Sequence, residues 1–322
     1  MSMEHLKNLI DKIEERRRER SLYQFGLLAF IGAIVLGGGS VLLPYLPKSA
    51  PVAVAPSEES APSAYANVAL SAKAAIVYDL TTGKVLYEKN AEAQLPLASL
   101  TKLLTLLAAS DVLTPDAPVT MTAKALATEG DNGFQSGETF RFEDAAALAL
   151  VGSSNDAAEA ITEAATKVAQ AANGTSLLAS AAAAVGLTQT YALNGTGLDE
   201  NGEISGGYGS AHDIALLAEA LLKRVPGIMR ASIDPSVTVR SMSGNSYTLK
   251  NTNTEVTHIT GLMMSKTGYT DLAGGNLAVV FDAGIGHPVA VVVLGSTKEE
   301  RFTDVQRLVR ATSAQFAGLR LP

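Results

Sequence analysis

The sequence runs to 322 residues, 47% of them hydrophobic and 18% charged, enough chain for one large core or two small ones. Its net charge of -7, with no basic block beyond the N-terminal segment, argues against a nucleic-acid partner. Cysteine is absent, which excludes thiol catalysis and disulfides, and His5, His212, His258 and His287 lie too far apart for metal-ligand spacing, so no metal or cofactor is expected.

Residues 1–24 read as a charged helical segment closed by Arg16, Arg17, Arg18 and Arg20. Residues 25–43 follow without a charge, about 28 Å as a helix and enough to cross a bilayer core. Arginines before the span and none soon after predict a cytoplasmic N-terminus. A cleaved signal peptide is the rival reading. Its basic lead is unusually long, however, and the Ala53-Val54-Ala55 candidate runs into Pro56. Residues 44–66, with five prolines among Ala, Ser and Glu, read as an extended linker.

From Asn67 the pattern changes. Residues 74–78 and 85–87 predict strands of a hairpin with Gly83 at its corner. A helix from Ser99 to Ala109 comes next, since Pro96 discourages helix before it and nothing after Ser99 breaks one. Between Pro115 and Pro235 the reading is mostly helical: 142–150, 156–172, 177–185 and 211–224, the last capped by Ser210. Strands return at 237–240, 247–250, 261–265, 277–281 and 289–294, and a final helix covers 299–316. Strands at both ends around a helical insert predict an α+β domain, with one antiparallel sheet completed by both termini.

One residue does not suit its helix. Leu100, Leu103, Leu104, Leu107 and Ala108 form an apolar face and Leu106 adds a further side, so Lys102 sits in a helix buried almost all round. An ammonium loses several kcal/mol of hydration when buried alone. Ser99 lies three residues back on the same face, within reach of that amine. A desolvated lysine has a lowered pKa and acts as a base, and a serine beside a base is a candidate nucleophile. A Ser-x-x-Lys pair also turns up by chance about once in a few hundred residues, so the rest of the chain decides.

Ser153-Ser154-Asn155 opens a helix, where a capping role is the plain alternative. A second Ser-x-Asn, Ser243-Gly244-Asn245, lies between two short strands and is assigned to hairpin-turn chemistry. Lys266-Thr267-Gly268 ends the apolar strand 261–265; its glycine allows close backbone approach, and Lys with Thr offers an anion a cation and a hydroxyl.

Ser-x-x-Lys, Ser-x-Asn and Lys-Thr-Gly in this order resemble the signature of penicillin-binding proteins and serine β-lactamases. The strings at 78–87, 98–103, 155–157 and 266–270 are similar to those of low-molecular-weight D-alanyl-D-alanine carboxypeptidases, over about residues 67–316. The resemblance implies a β-lactamase/DD-peptidase-like fold and a serine peptidase that removes the terminal D-alanine of peptidoglycan stem peptides, with β-lactams as covalent inhibitors. It implies catalytic roles for Ser99, Lys102 and Ser153, and substrate binding by Asn155, Lys266, Thr267 and Gly268. The backbone N–H groups of Ser99 and Tyr269 are the implied oxyanion hole, and Lys266 is expected to push the Lys102 pKa down. Many relatives carry a C-terminal β-domain and anchor; this chain has neither after its last helix, so attachment to the bilayer is expected through residues 25–43, with the domain extracytoplasmic. A DD-endopeptidase uses the same residues, and a slowly deacylating β-lactam or muropeptide sensor stays open. A class A β-lactamase is disfavoured, because no glutamate stands four residues before an asparagine between Asp156 and Ser265.

Overall fold

Short runs of β-branched and small apolar residues bury both faces of a strand, and β1 (Ala74–Asp79) is such a strand, paired on both sides within the main sheet. The computed structural model describes residues 64–318. The chain turns through Gly83, at φ +69°, into β2 (Lys84–Lys89), then passes β3 (Leu95–Pro96) and a 3-10 turn at Ala98–Leu100 into α1 (Thr101–Ser110). β4 (Pro118–Thr120) and β5 (Thr139–Arg141) pair with each other, and α2 (Phe142–Val151), α3 (Asn155–Ala169) and α4 (Gly174–Ala184) follow. β6 (Tyr191–Ala192), β7 (Gly207–Gly209), α5 (Ala211–Arg224) and α6 (Pro226–Arg230) complete the insert. The hairpin β8 (Ser236–Arg240) and β9 (Ser246–Lys250) precedes β10 (Leu262–Thr270), β11 (Gly274–Asp282), β12 (Pro288–Ser296) and α7 (Glu300–Phe316).

The main sheet has the order β10-β11-β12-β1-β2 and is antiparallel throughout, so both ends of the domain complete it, as expected. Alternation divides its side chains between two cores. Ala74, Ile76, Val280 and Val292 face the helical insert, while Ala75, Val77, Val279 and Val291 face Val305, Leu308 and Ala311 of α7. Inside the insert, α1 is buried at every position from Thr101 to Ala109. It packs among α3, α4 and α5, so any polar group it carries must find its partner inside the protein.

Four expectations change. The β8–β9 hairpin forms its own two-stranded sheet rather than joining the main one. β10 does not end at Ser265: its ladder with β11 continues from Lys266↔Ala278 to Thr270↔Gly274, which places Lys266, Thr267 and Gly268 in mid-strand. Short strands interrupt the mostly helical stretch between Pro115 and Pro235: β6 and β7 form one small sheet with β3, which precedes that stretch, and β4 and β5 form another. The folded domain also begins before Asn67, since Tyr65 is buried, lies 5.4 Å from the Tyr87 ring and shares a 2.9 Å hydrogen bond with Thr312. The anchor read at 25–43, the segment before it and most of the linker lie outside the described residues. Among the described residues, no helix is long and apolar enough to cross a membrane.

Asp304 fastens the N-terminal segment to α7 and β12. It has no exposed surface and accepts from Ser71 N–H (3.0 Å), Ala72 N–H (2.9 Å) and Ser296 Oγ (2.7 Å). Asp304→Ala strands two backbone donors and is expected to cost about 3 kcal/mol in urea unfolding, with Asp304→Asn costing less. An alanine variant within about 0.5 kcal/mol of wild type, the scale of an ordinary surface substitution, contradicts the fastening role.

Candidate active site

The turn before α1 is held in an unfavourable backbone shape. Ala98 has φ +48°, a left-handed conformation that costs a non-glycine residue about 1–3 kcal/mol. Its neighbours enforce it. Asn276 of β11 donates from Nδ2 to the carbonyls of Pro96 and Leu97, both at 3.0 Å, and accepts from Gly295 N–H at 2.8 Å. Gly268 of β10 passes so close that a Cβ there would lie 2.7 Å from the Leu97 oxygen and 3.3 Å from the Leu100 nitrogen. The strained turn presents Ser99, half-buried, at the head of α1.

Lys102, one turn on, has no solvent exposure. Its Nζ lies 2.9 Å from Ser99 Oγ, 2.7 Å from Asn155 Oδ1 and 2.8 Å from the carbonyl of Thr196. Burial pushes its pKa down to about 7. A neutral amine has two N–H bonds and one lone pair. The Thr196 carbonyl only accepts, and Asn155 presents its oxygen because its Nδ2 donates to the Glu129 carbonyl at 2.7 Å. With both N–H bonds so occupied, the lone pair faces the Ser99 hydroxyl.

A second lysine stands beside the first. Lys266, 1% exposed, donates to Ser153 Oγ at 2.8 Å and to the Thr267 carbonyl at 2.9 Å. Burial, then the charges of Lys102 and Arg301, hold it well below the usual lysine range. Burial is the first cause of the lowered pKa of both lysines, and the repulsion between the two amines disfavours charging them together. The helix-capping alternative goes to the neighbouring serine. Ser154 Oγ accepts from Ala157 N–H at 3.2 Å and caps α3, while Ser153, at φ +58°, turns its hydroxyl to Lys266.

Ser99, Lys102, Ser153, Asn155, Lys266, Thr267, Gly268 and Tyr269 thus converge, from α1, the α2–α3 turn and β10. Ser243 and Asn245 lie apart from them, in a turn with Gly244 at φ +98°. There Asn245 Nδ2 donates to Glu138 at 2.8 Å. Two groups in the site escaped the sequence reading. Arg301 of α7 is 6% exposed and donates from Nη1 to the Gly268 carbonyl at 2.7 Å, leaving its buried Nε without a partner. The Thr196 carbonyl is backbone and has no side-chain signature. Among the described residues, no three His, Asp or Glu side chains gather as metal ligands.

The depressed Lys102 pKa fixes a stability trend. Its ordinary value is 10.5 and its folded value about 7, so the penalty for burying it is complete below pH 7 and vanishes as pH rises toward 10.5. Lys102→Met is expected to raise the melting temperature relative to wild type most at pH 6 and least at pH 10, while abolishing acylation. A difference that does not change with pH contradicts the depressed pKa.

The family model described as D-alanyl-D-alanine carboxypeptidase matches residues 58–298. The D-alanyl-D-alanine carboxypeptidase DacF of Bacillus subtilis is 30% identical over 271 residues, 80% of this chain and 68% of that one. A D-alanyl-D-alanine endopeptidase of Pseudomonas aeruginosa is 31% identical over 252 residues, 75% of this chain and 77% of the relative. Among solved structures, ampicillin-bound penicillin-binding protein D2 of Listeria monocytogenes superposes with a TM-score of 0.63 at 28% identity, over 76% of this chain and 98% of that one. The carboxypeptidase DacD of Francisella tularensis gives 0.68 at 26% identity, over 76% and 71%. With three quarters of its length matched and the serine, both lysines and the glycine strand gathered in one site, the chain belongs to the D-alanyl-D-alanine carboxypeptidase family.

Proposed function

We propose that the protein removes the terminal D-alanine from peptidoglycan stem peptides through an acyl-enzyme on Ser99, and that β-lactams acylate the same serine. The observation that carries this reading is the Lys102 amine, buried, near neutrality at pH 7, and aimed at Ser99 Oγ by two acceptors that take its N–H bonds. Ser99 Oγ attacks the carbonyl carbon of the penultimate D-alanine as its proton passes to Lys102. The oxyanion is met by the N–H groups of Ser99 and Tyr269. The C–N bond breaks, and Ser153, hydrogen-bonded to Lys266, relays to the departing amine the proton that Lys102 took, which leaves Lys102 neutral again. Water then attacks the ester, with Lys102 again the base, and frees the shortened peptide.

Lys266, Thr267 and Arg301 receive the substrate's terminal carboxylate. Its negative charge favours the charged form of Lys266, against the burial and repulsion that lower that lysine's pKa. Asn155 spends its Oδ1 on Lys102 and one Nδ2 hydrogen on the Glu129 carbonyl, which leaves its second Nδ2 hydrogen for the acyl side chain. Cleavage of cross-links is a second reading, favoured by the 31% identity to an endopeptidase. Residues 25–43 are the proposed bilayer anchor, with 1–24 cytoplasmic and the peptidase domain outside, supported by the uncharged run and the arginines before it.

Intact-protein mass spectrometry checks the chemistry. Wild type is expected to form one benzylpenicillin adduct on Ser99. Ser99→Ala should form none, and a folded Lys102→Arg should acylate at least 10²–10⁴-fold more slowly, roughly the cost of losing a proton-transfer group. An adduct on Ser99→Ala, or near wild-type acylation by Lys102→Arg, contradicts the assignment. Release of D-alanine from a D-Ala-D-Ala stem peptide, against cleavage of a cross-linked dimer, separates carboxypeptidase from endopeptidase.

A further inference from the structure

The Thr196 carbonyl takes one of the two N–H bonds of Lys102, yet it lies in a loop with no regular secondary structure between β6 and β7. Something must hold that carbonyl in place. Asn194 does so with one side chain. Its Oδ1 accepts from Thr196 N–H (3.2 Å), Thr196 Oγ1 (2.9 Å) and Gly197 N–H (2.8 Å). Its Nδ2 donates to the Leu198 carbonyl at 3.0 Å and to Glu200 Oε1 at 2.7 Å. Gathering these N–H groups inward leaves the Thr196 carbonyl pointing outward, toward the amine. The Thr196 hydroxyl accepts from Leu198 N–H at 3.1 Å and closes the loop.

The loop meets the rest of the site at two further points. Gly197 has φ +77° and packs so tightly on the Ala98 carbonyl that no Cβ would fit, so it bears on the strained turn that carries Ser99. Asp199 accepts from Thr270 Oγ1 at 3.0 Å, one residue beyond Tyr269 on β10. A single asparagine therefore organises a segment that touches the base, the nucleophile turn and the strand of the oxyanion hole.

We infer that Asn194 is a positioning residue for the reaction, setting the direction of the Lys102 lone pair through the Thr196 carbonyl. The inference rests on Lys102 acting as the base. Lys102 faces Lys266, with Arg301 behind it, and Glu200 is the charged group that Asn194 itself contacts. A carbonyl acceptor favours the charged ammonium over the neutral amine, so misplacing it lowers both the efficiency of the base and the pH at which it ionises.

The test follows the acylation rate of the full chain with a chromogenic cephalosporin across pH, beside its melting temperature. Asn194→Ala is expected to acylate about 10- to 100-fold more slowly, with the acid limb of the profile moved to lower pH. Asn194→Asp keeps the acceptor for Thr196 and Gly197; it should lie within about 10-fold of wild type with a limb no lower than wild type's, and it carries the test if the alanine variant does not fold. A wild-type rate and limb for Asn194→Ala overturns the inference, as does a loss that only tracks a lower melting temperature with the limb unmoved. A larger loss by a well-folded Asn194→Asp overturns it too. Lys102→Arg is assayed in parallel: retained acylation there refutes the base itself, a failure separate from that of Asn194.

Discussion

A lysine amine with no exposed surface, surrounded by oxygen atoms and lacking a carboxylate among its hydrogen-bond partners, is the constraint from which the rest of the site follows. An ion pair would keep Lys102 charged and useless as a base. Hydrogen-bond acceptors alone do not offset the lost hydration, so burial brings the pKa to about 7. The helix that carries Lys102 must then be enclosed, which explains why α1 is buried from Thr101 to Ala109 and why α3, α4 and α5 pack around it. The domain gives up stability at neutral pH to keep that amine deprotonated.

The second consequence is electrostatic. Lys266 and Arg301 add two more basic groups to the enclosed site, and both are lowered by burial. Such a site resists further positive charge and gains from an anion. A carboxylate arriving beside β10 favours the protonated form of Lys266, while Lys102 keeps its uncharged acceptors. The two lysines are set apart by position: Lys102 contacts Ser99, and Lys266 contacts Ser153 and lies on β10.

Much of this was legible in the sequence because it rests on periodicity. The 3.6-residue spacing around Lys102 marked a buried helix with one misplaced charge, and Ser210 marked the start of α5 through a cap that Asp213 N–H completes at 3.0 Å. Sheet membership was harder to read. Alternation in β8 and β9 signals a strand but names no partner, and these two pair only with each other. The end of β10 was placed too early because its apolar pattern stops at Ser265, whereas the backbone ladder continues regardless of side chain. The Thr196 carbonyl is backbone and leaves no mark in a residue pattern. The Thr196 carbonyl meets Lys102, and Arg301 meets Gly268, across long sequence separations that only the fold closes.

The central claim is that one lysine of this protein is a near-neutral base at physiological pH. Titration of the side-chain resonances of isotopically labelled lysines by NMR reads that directly. One lysine should titrate with a midpoint near 7, far below the ordinary 10.5, and its resonance should be missing from the Lys102→Arg spectrum. A titration in which the Lys102 resonance moves only near 10.5 would contradict the account.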